Sequence, residues 1–160
     1  MSDSIFSEPF YADIPMLRMA KARIISRNPE AEVIKFLETW LQERGIDITQ
    51  SRRFGFDVPV SKPEKEQGIR GYEYWMQVPD SIQASEPVNI EQFPGGNFIA
   101  LRITEPFLEP FERIPLGWQT LVKYIGDHGT DVEWCTPGCC LEEVKSIDGI
   151  TYMDVYIRLK

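Results

Sequence analysis

The stretch Phe93–Gly129, FPGGNFIALRITEPFLEPFERIPLGWQTLVKYIGDHG, decides the fold because an earlier stretch of the chain repeats its plan. In both, an apolar strand leads through a turn that contains proline into an amphipathic helix that ends near a glycine. The earlier copy is Met16–Ile46, MLRMAKARIISRNPEAEVIKFLETWLQERGI, and Arg23 lies over Arg102 when the two are aligned. The repetition predicts an internal duplication.

Composition excludes several classes of protein. The chain has 160 residues, of which 42% are hydrophobic, which is enough for one packed domain. A net charge of −8 and a pI near 4.7 oppose binding to a phosphate backbone, and no basic cluster offsets them. No segment has the run of about eighteen apolar residues that a membrane span requires, and the N-terminus lacks a targeting pattern. We therefore expect a cytoplasmic protein that binds neither nucleic acid nor membrane.

The cysteines predict reduced thiols. Cys135, Cys139 and Cys140 are an odd number in one short region, which is not the pattern of a secreted disulfide framework. A zinc site would need a fourth ligand, and His128 is the only histidine. The spacing of these residues matches no common zinc site, so we expect no metal. No motif for a cofactor, a serine nucleophile or a phosphate-binding loop is present either.

The duplication predicts one α+β domain over residues 1–160. We assign an irregular N-terminal arm to 1–13, the first repeat to 14–79, a linker to 80–92 and the second repeat to 93–160. Each repeat has the order strand, helix, strand, strand. The two repeats are expected to be related by pseudo-twofold symmetry, with antiparallel sheets that carry helices on one side and a ligand cleft on the other.

One helix follows the first strand of each repeat. Asn28 precedes Pro29 at the start of the first helix, which ends at Gly45, and the second helix ends at Gly129. Apolar residues at helical spacing predict the buried stripe of each helix. They are Val33, Ile34, Leu37, Trp40 and Leu41 in the first helix, and Ile114, Trp118, Leu121, Val122 and Ile125 in the second.

Alternation along the strands predicts which side chains face away from the helices. In the final strand Met153, Val155, Ile157 and Leu159 form the packing face, which leaves Tyr152, Asp154, Tyr156 and Arg158 on the other. In the first repeat the same argument leaves Glu73, Trp75 and Gln77 on that other face. Glu73 thus corresponds to Asp154 and Trp75 to Tyr156.

The remaining strands, FGFDVPV and CLEEVK, place Asp57 and Glu142 at matching positions that also face away from the helices. Carboxylates among aromatic rings attract organic cations. Each of these residues also has an ordinary alternative as a solvated strand residue, and Trp75 as a residue that covers the sheet.

The chain resembles the GyrI-like small-molecule-binding proteins, which also form the effector-binding domains of some AraC-type and MerR-type multidrug regulators. Three segments carry the resemblance: FPGGNFIALRITEPF, GWQTLVKYIGDHG, and CLEEV followed by YMDVYIRL. Val144 departs from the tyrosine usual in the family, and Thr104-Glu105 from its usual glycine before proline. The resemblance implies that Glu142 takes the positive end of a bound compound.

It also implies a free-standing small-molecule-binding protein, since too few residues precede the first strand for a DNA-binding domain. The expected ligand is hydrophobic, aromatic and often cationic, and the expected protein is a monomer or a homodimer. Some stand-alone relatives are hydrolases that open the cyclopropane ring of DNA-alkylating antibiotics, which is the alternative function. The predicted ligand-binding residues are Glu142, Trp75, Tyr156, Tyr152, Glu73 and Asp57, and the catalytic residues of the alternative are Glu142 and Tyr156.

Overall fold

The computed structural model describes residues 4–134 and 139–160. Within that part of the chain, no helix combines the length and apolar character that crossing a bilayer requires. In chain order the elements are β1 (Phe10–Ile14), β2 (Leu17–Ser26), α1 (Pro29–Gln42), a 3-10 turn (Ile48–Gln50), β3 (Arg53–Val58), α2 (Lys62–Glu66), β4 (Arg70–Gln77), β5 (Asn89–Phe93), β6 (Gly96–Thr104), α3 (Pro110–His128), β7 (Cys140–Ile147) and β8 (Ile150–Arg158).

The elements form two compact units with the same internal topology. The first unit is Met16–Pro94, and the second is Gly95–Lys160 together with Met1–Pro15. The strand order is β5-β2-β4-β3 in the first unit and β1-β6-β8-β7 in the second. These neighbouring strands pair antiparallel, so the fold is α+β, and the duplicated strand, helix, strand, strand plan is present in both units.

Each unit packs one long helix on one face of its strands. In the first unit α1 covers alternate residues of β2 and β4, and Leu37 and Met76 are fully buried there. In the second unit α3 covers β6 and β8, with Leu121 and Val155 fully buried. The predicted stripes are right except for Val122, which is exposed because it lies beside the stripe rather than within it. The opposite side of each four-stranded array is called the helix-free face below.

Three short elements differ from the sequence prediction. The arm assigned to 1–13 is not irregular at its end, since β1 begins at Phe10 and pairs with β6. The segment assigned as a linker contains β5, which pairs with β2. Both are outer strands whose partners are distant in sequence, so local patterns do not reveal them. The loop after β3 contains α2, whose start is a capping box between Ser61 and Glu64, a signal that SKPE does carry.

The cysteines also depart from expectation. Cys139 is disulfide-bonded, so the prediction of reduced thiols is wrong for this residue. Cys140 is a free thiol at the start of β7, and burial raises the pKa of that thiol. Cys135 lies outside the described residues.

The turn from β6 to α3 explains one departure from the GyrI-like pattern. Glu105 has a φ of 48°, in the left-handed region that favours glycine. Its backbone N–H donates to the Thr151 carbonyl at 2.8 Å, and its carboxylate accepts from the Thr151 N–H at 3.2 Å. These two bonds to β8 hold a glutamate in a conformation that glycine would adopt without strain.

Candidate ligand-binding site

The pairing of β7 with β8 decides which glutamate of CLEEVK lies on the helix-free face. Directly opposite residues of antiparallel strands share a face. Glu143 pairs with Asp154, whereas Glu142 pairs with Val155, a core residue under α3. Trp118 of α3 donates its indole N–H to Glu142 Oε2 at 3.1 Å. Glu142 therefore lies on the helix side.

The predicted face of Glu142 is thus wrong, and the reason is a shift of one residue. Side chains alternate along a strand, so a slip of one position exchanges the two faces. Two adjacent glutamates in CLEEVK give no pattern that separates them, and the register with Tyr156 and Asp154 is needed to do so. The glutamate of β7 that lies on the helix-free face, and that the sequence prediction missed, is Glu143.

Four charged side chains and one phenol form a compact group on the helix-free face of the second unit, which we call the acidic cluster. It consists of Arg102, Glu143, Lys145, Asp154 and Tyr156. Asp154 accepts from Arg102 Nε at 2.7 Å and from Arg102 Nη2 at 2.9 Å. The Tyr156 hydroxyl donates to Glu143 Oε1 at 2.6 Å and lies 3.5 Å from Asp154 Oδ2.

The acids of this cluster are buried, and its cations are partly exposed. The side chain of Asp154 has no exposed area and that of Glu143 retains 3%, whereas Arg102 and Lys145 each retain 31%. The hydrogen bonds that Arg102 donates to Asp154 raise the pKa of Arg102, so that guanidinium stays charged. Isolated buried carboxylates are costly, and here both have hydrogen-bonded or ionic partners.

Aromatic rings flank the cluster. The ring of Tyr152, a predicted site residue, lies 5.4 Å from the Arg102 guanidinium. The ring of Phe10, a residue of β1, lies 5.9 Å from the same guanidinium. Tyr156 is buried, and its ring meets Phe98 edge to face at 5.8 Å. The cluster can therefore offer both negative charge and aromatic surface to a ligand.

The first unit has a simpler group at the corresponding place. Arg23 donates to Glu73 Oε1 from Nε at 2.9 Å and from Nη2 at 2.7 Å, and Trp75 donates its indole N–H to Glu73 Oε2 at 2.6 Å. Trp75 also meets Phe93 edge to face at 6.0 Å, and Lys21 Nζ lies 5.0 Å from its ring. The matching of Glu73 with Asp154 and of Trp75 with Tyr156 agrees with the register of both strand pairs.

Asp57 does not join either group. It pairs with Tyr72, which packs under α1, so its predicted position on the helix-free face is wrong. The residues of β3 that do lie on that face are Phe54, Phe56 and Val58, and they are buried. The alternation of apolar residues predicts that they form the helix-packing face, but in this strand they line the opposite face.

Comparison with known proteins supports the fold. No family model and no curated protein matches the sequence. Among solved structures, the EcmrR C-terminal domain superposes with a TM-score of 0.70 at 13% identity, over 96% of this chain and 97% of that one. EcmrR in a DNA complex gives a TM-score of 0.69 at 14% identity, and this chain spans only 58% of its length.

Two further structures have the same fold at lower similarity. SAV2435 bound to tetraphenylphosphonium has a TM-score of 0.57 at 11% identity, over 96% of this chain and 94% of that one. A hydrolase from Listeria innocua has a TM-score of 0.58 at 8% identity, over 96% and 92%. The chain therefore has the fold that its resemblance to the GyrI-like proteins implies.

Proposed function

We propose that the protein binds small organic molecules on the helix-free face of the second unit, with Glu143 as the residue that meets a positive group. The observation that carries this proposal is a buried glutamate beside a buried tyrosine. The fold alone does not need a second acid, because the first unit has Phe56 at the position of Glu143. Burying a carboxylate has a desolvation cost, and the presence of one at a position where the fold accepts phenylalanine points to recognition of a ligand.

The expected ligand class is aromatic and includes organic cations. Tyr152, Tyr156 and Phe10 supply rings, and the two buried acids supply negative charge. SAV2435, which shares the fold, has been solved with tetraphenylphosphonium bound, and this supports the same compound as a probe here. Trp75 and Glu73 of the first unit are proposed as secondary ligand contacts, on the ground that they repeat the ring and acid of the second unit.

The test is a calorimetric titration of tetraphenylphosphonium into the purified protein, with two variants at adjacent positions. Glu143→Gln should weaken binding about tenfold or more, because it removes the buried charge that faces the ligand. Glu142→Gln is the matched control, since it changes the same residue type one position away on the helix side. Equal losses in both variants would contradict the role of Glu143.

A second function is favoured by the short bond of 2.6 Å from the Tyr156 hydroxyl to Glu143. An acid and a phenol in contact can move a proton, and one structure with this fold is a hydrolase. In the opening of a cyclopropane conjugated to a carbonyl, water forms a bond to the strained carbon as the ring C–C bond breaks. The electron pair of that bond moves toward the carbonyl oxygen, which takes a proton, while the water gives one up.

Glu143 is the proposed base for that water, and Tyr156 the proposed donor to the oxygen. Glu142, the catalytic residue expected from the sequence, is replaced in this role because it faces α3. The experiment is incubation with a cyclopropane-bearing alkylating antibiotic, followed by mass spectrometry of the hydrated product. Product formation no faster than in buffer would leave binding as the function of the site.

A further inference from the structure

Lys145 lies between the two buried acids of the cluster. Its Nζ is 3.1 Å from Asp154 Oδ2 and 3.6 Å from Glu143 Oε1. Asp154 is already paired with both donors of Arg102, so the ammonium is a second cation on an acid that has one. With two acids and two cations, the cluster has no net formal charge.

The duplication indicates that this ammonium is not needed by the fold. Lys145 corresponds to Val58 in the first unit, where Arg23 forms the ion pair with Glu73. The second unit thus places a cation beside its acid pair at a position where the first unit has an apolar side chain.

The ammonium also occupies the place that a ligand cation would take. A positive group that approaches Glu143 and Asp154 must share both carboxylates with Lys145 or move it aside. Lysine has a flexible four-carbon stem and a strongly hydrated head, and this one retains 31% of its side-chain exposure, so it can turn toward water. The acids, in contrast, are fixed on β7 and β8.

We propose that Lys145 is a specificity-determining residue that competes with ligand cations for Glu143 and Asp154. This inference rests on the proposed function. Its consequence is a site that accepts neutral or zwitterionic aromatic compounds readily, and permanent cations only to the extent that they displace the lysine. Removing the ammonium should convert the site into one that selects for cations.

The experiment compares tetraphenylphosphonium with tetraphenylborate, two ions of nearly the same shape and opposite charge. Neither has a hydrogen-bond donor, so the ratio of their affinities reports the charge of the site. Lys145→Met should raise the ratio in favour of the cation by at least about tenfold, the change expected when one close unit charge is removed from a partly solvated site. Lys145→Arg keeps the charge and should keep the ratio of the parent protein.

Lys123→Met is the matched control. It removes the same charge from an exposed lysine of α3 that pairs with Asp127 on the same helix. Its ratio should stay within about twofold, because this ammonium is 77% exposed on α3 and salt in the solvent screens its charge. If Lys145→Met does not fold, Lys145→Gln replaces it, since glutamine removes the charge but retains a donor to Asp154. The ratio of affinities should again rise in favour of the cation.

The outcomes separate the two proposals. If tetraphenylphosphonium binds and Glu143→Gln weakens it, but neither Lys145 variant changes the ratio, competition by Lys145 is refuted and the binding site stands. If Lys123→Met raises the ratio as much as Lys145→Met, the change is caused by the net charge of the protein, and the inference is again refuted. If neither ion binds to any variant, the proposed function and the inference both fail.

Discussion

The two units of the molecule share a strand order and an arginine–carboxylate pair, and they differ in the strand beside that pair. Arg23 with Glu73 and Arg102 with Asp154 bridge the same two strands in each unit. The neighbouring strand, however, is apolar on the helix-free face of the first unit and charged in the second. The corresponding residues are Phe54 and Leu141, Phe56 and Glu143, and Val58 and Lys145.

This difference separates what the fold needs from what a ligand needs. One ion pair per unit is common to both copies and fits a role in holding the strands. Glu143 and Lys145 are charged at positions where the first unit has Phe56 and Val58. We therefore infer a structural role for the arginine–carboxylate pair that both units share, and propose ligand recognition for Glu143 and Lys145.

The largest expected effect tests whether the shared pairs contribute equally to stability. Asp154→Ala would leave Arg102 and Lys145 beside a buried void, and we expect a loss of about 3–5 kcal/mol in the free energy of unfolding. Glu73→Ala should cost less, about 1–2 kcal/mol, because the side chain of Arg23 is 49% exposed and can turn to water. Urea denaturation of the two variants measures both values.

Equal losses in that experiment would show that solvent access does not set the cost, and a larger loss for Glu73→Ala would reverse the comparison. Circular dichroism at low urea should confirm that both variants begin from the folded state.

The next effect concerns how closely each helix approaches its strands. When Trp40 is aligned with Tyr124, Val33 of α1 lies over Gly117 of α3. A β-carbon on Gly117 would lie 2.5 Å from Ile103 Cδ1, so α3 packs where only glycine fits. We expect Gly117→Ala to destabilise the protein by about 1–3 kcal/mol, measured by thermal and urea denaturation.

Gly126 is the control on the same helix. A β-carbon there has no neighbour within 4 Å, so Gly126→Ala should stabilise the protein by about 0.5–1 kcal/mol through helix propensity alone. A loss in both variants would mean that the close approach at Gly117 is not the cause.

Much of the fold follows from the sequence because its signals are local. The spacing of apolar residues predicts α1 and α3, and the alternation along β4 and β8 assigns their faces correctly. The duplication then predicts the topology of both units. The sequence does not predict the outer strands β1 and β5, because each pairs with a strand far along the chain and no local pattern encodes that pairing.

The candidate site is predicted only in part, for a physical reason. Asp154, Tyr156, Glu73 and Trp75 lie on strands whose alternation is unambiguous. The face of β7 is set by its register with β8, and adjacent glutamates give no signal, so Glu142 was favoured over Glu143. Strand β3 misleads because its alternate apolar residues are buried on the helix-free face instead of under α1. Single-domain behaviour of residues 1–160 and a cytoplasmic location stay predictions.

The smallest effect comes from Asp57, which lies on the helix side of the first unit where the second has Val144. Burial raises the pKa of Asp57, and Arg70 opposes that rise. Burial also raises the pKa of Glu30 at the start of α1, and the charge of Asp57 raises it further. Because both folded-state pKa values are raised, the ionised forms cost stability at neutral pH. That cost disappears as the pH falls through the raised values and below those of the unfolded chain.

Asp57→Asn should therefore stabilise the protein slightly at pH 7, by up to about 0.5 kcal/mol since the residue is exposed, and have no effect at acid pH. Asp47 provides a control of opposite sign, because bonds from the Thr49 hydroxyl and N–H lower its pKa. Asp47→Asn should destabilise the protein at pH 7, and this loss of stability should shrink as the pH falls through the lowered pKa of Asp47. Urea midpoints at several pH values measure both trends. A stabilisation by Asp57→Asn that grows toward acid pH would show that relief of a partly desolvated negative charge is not its cause.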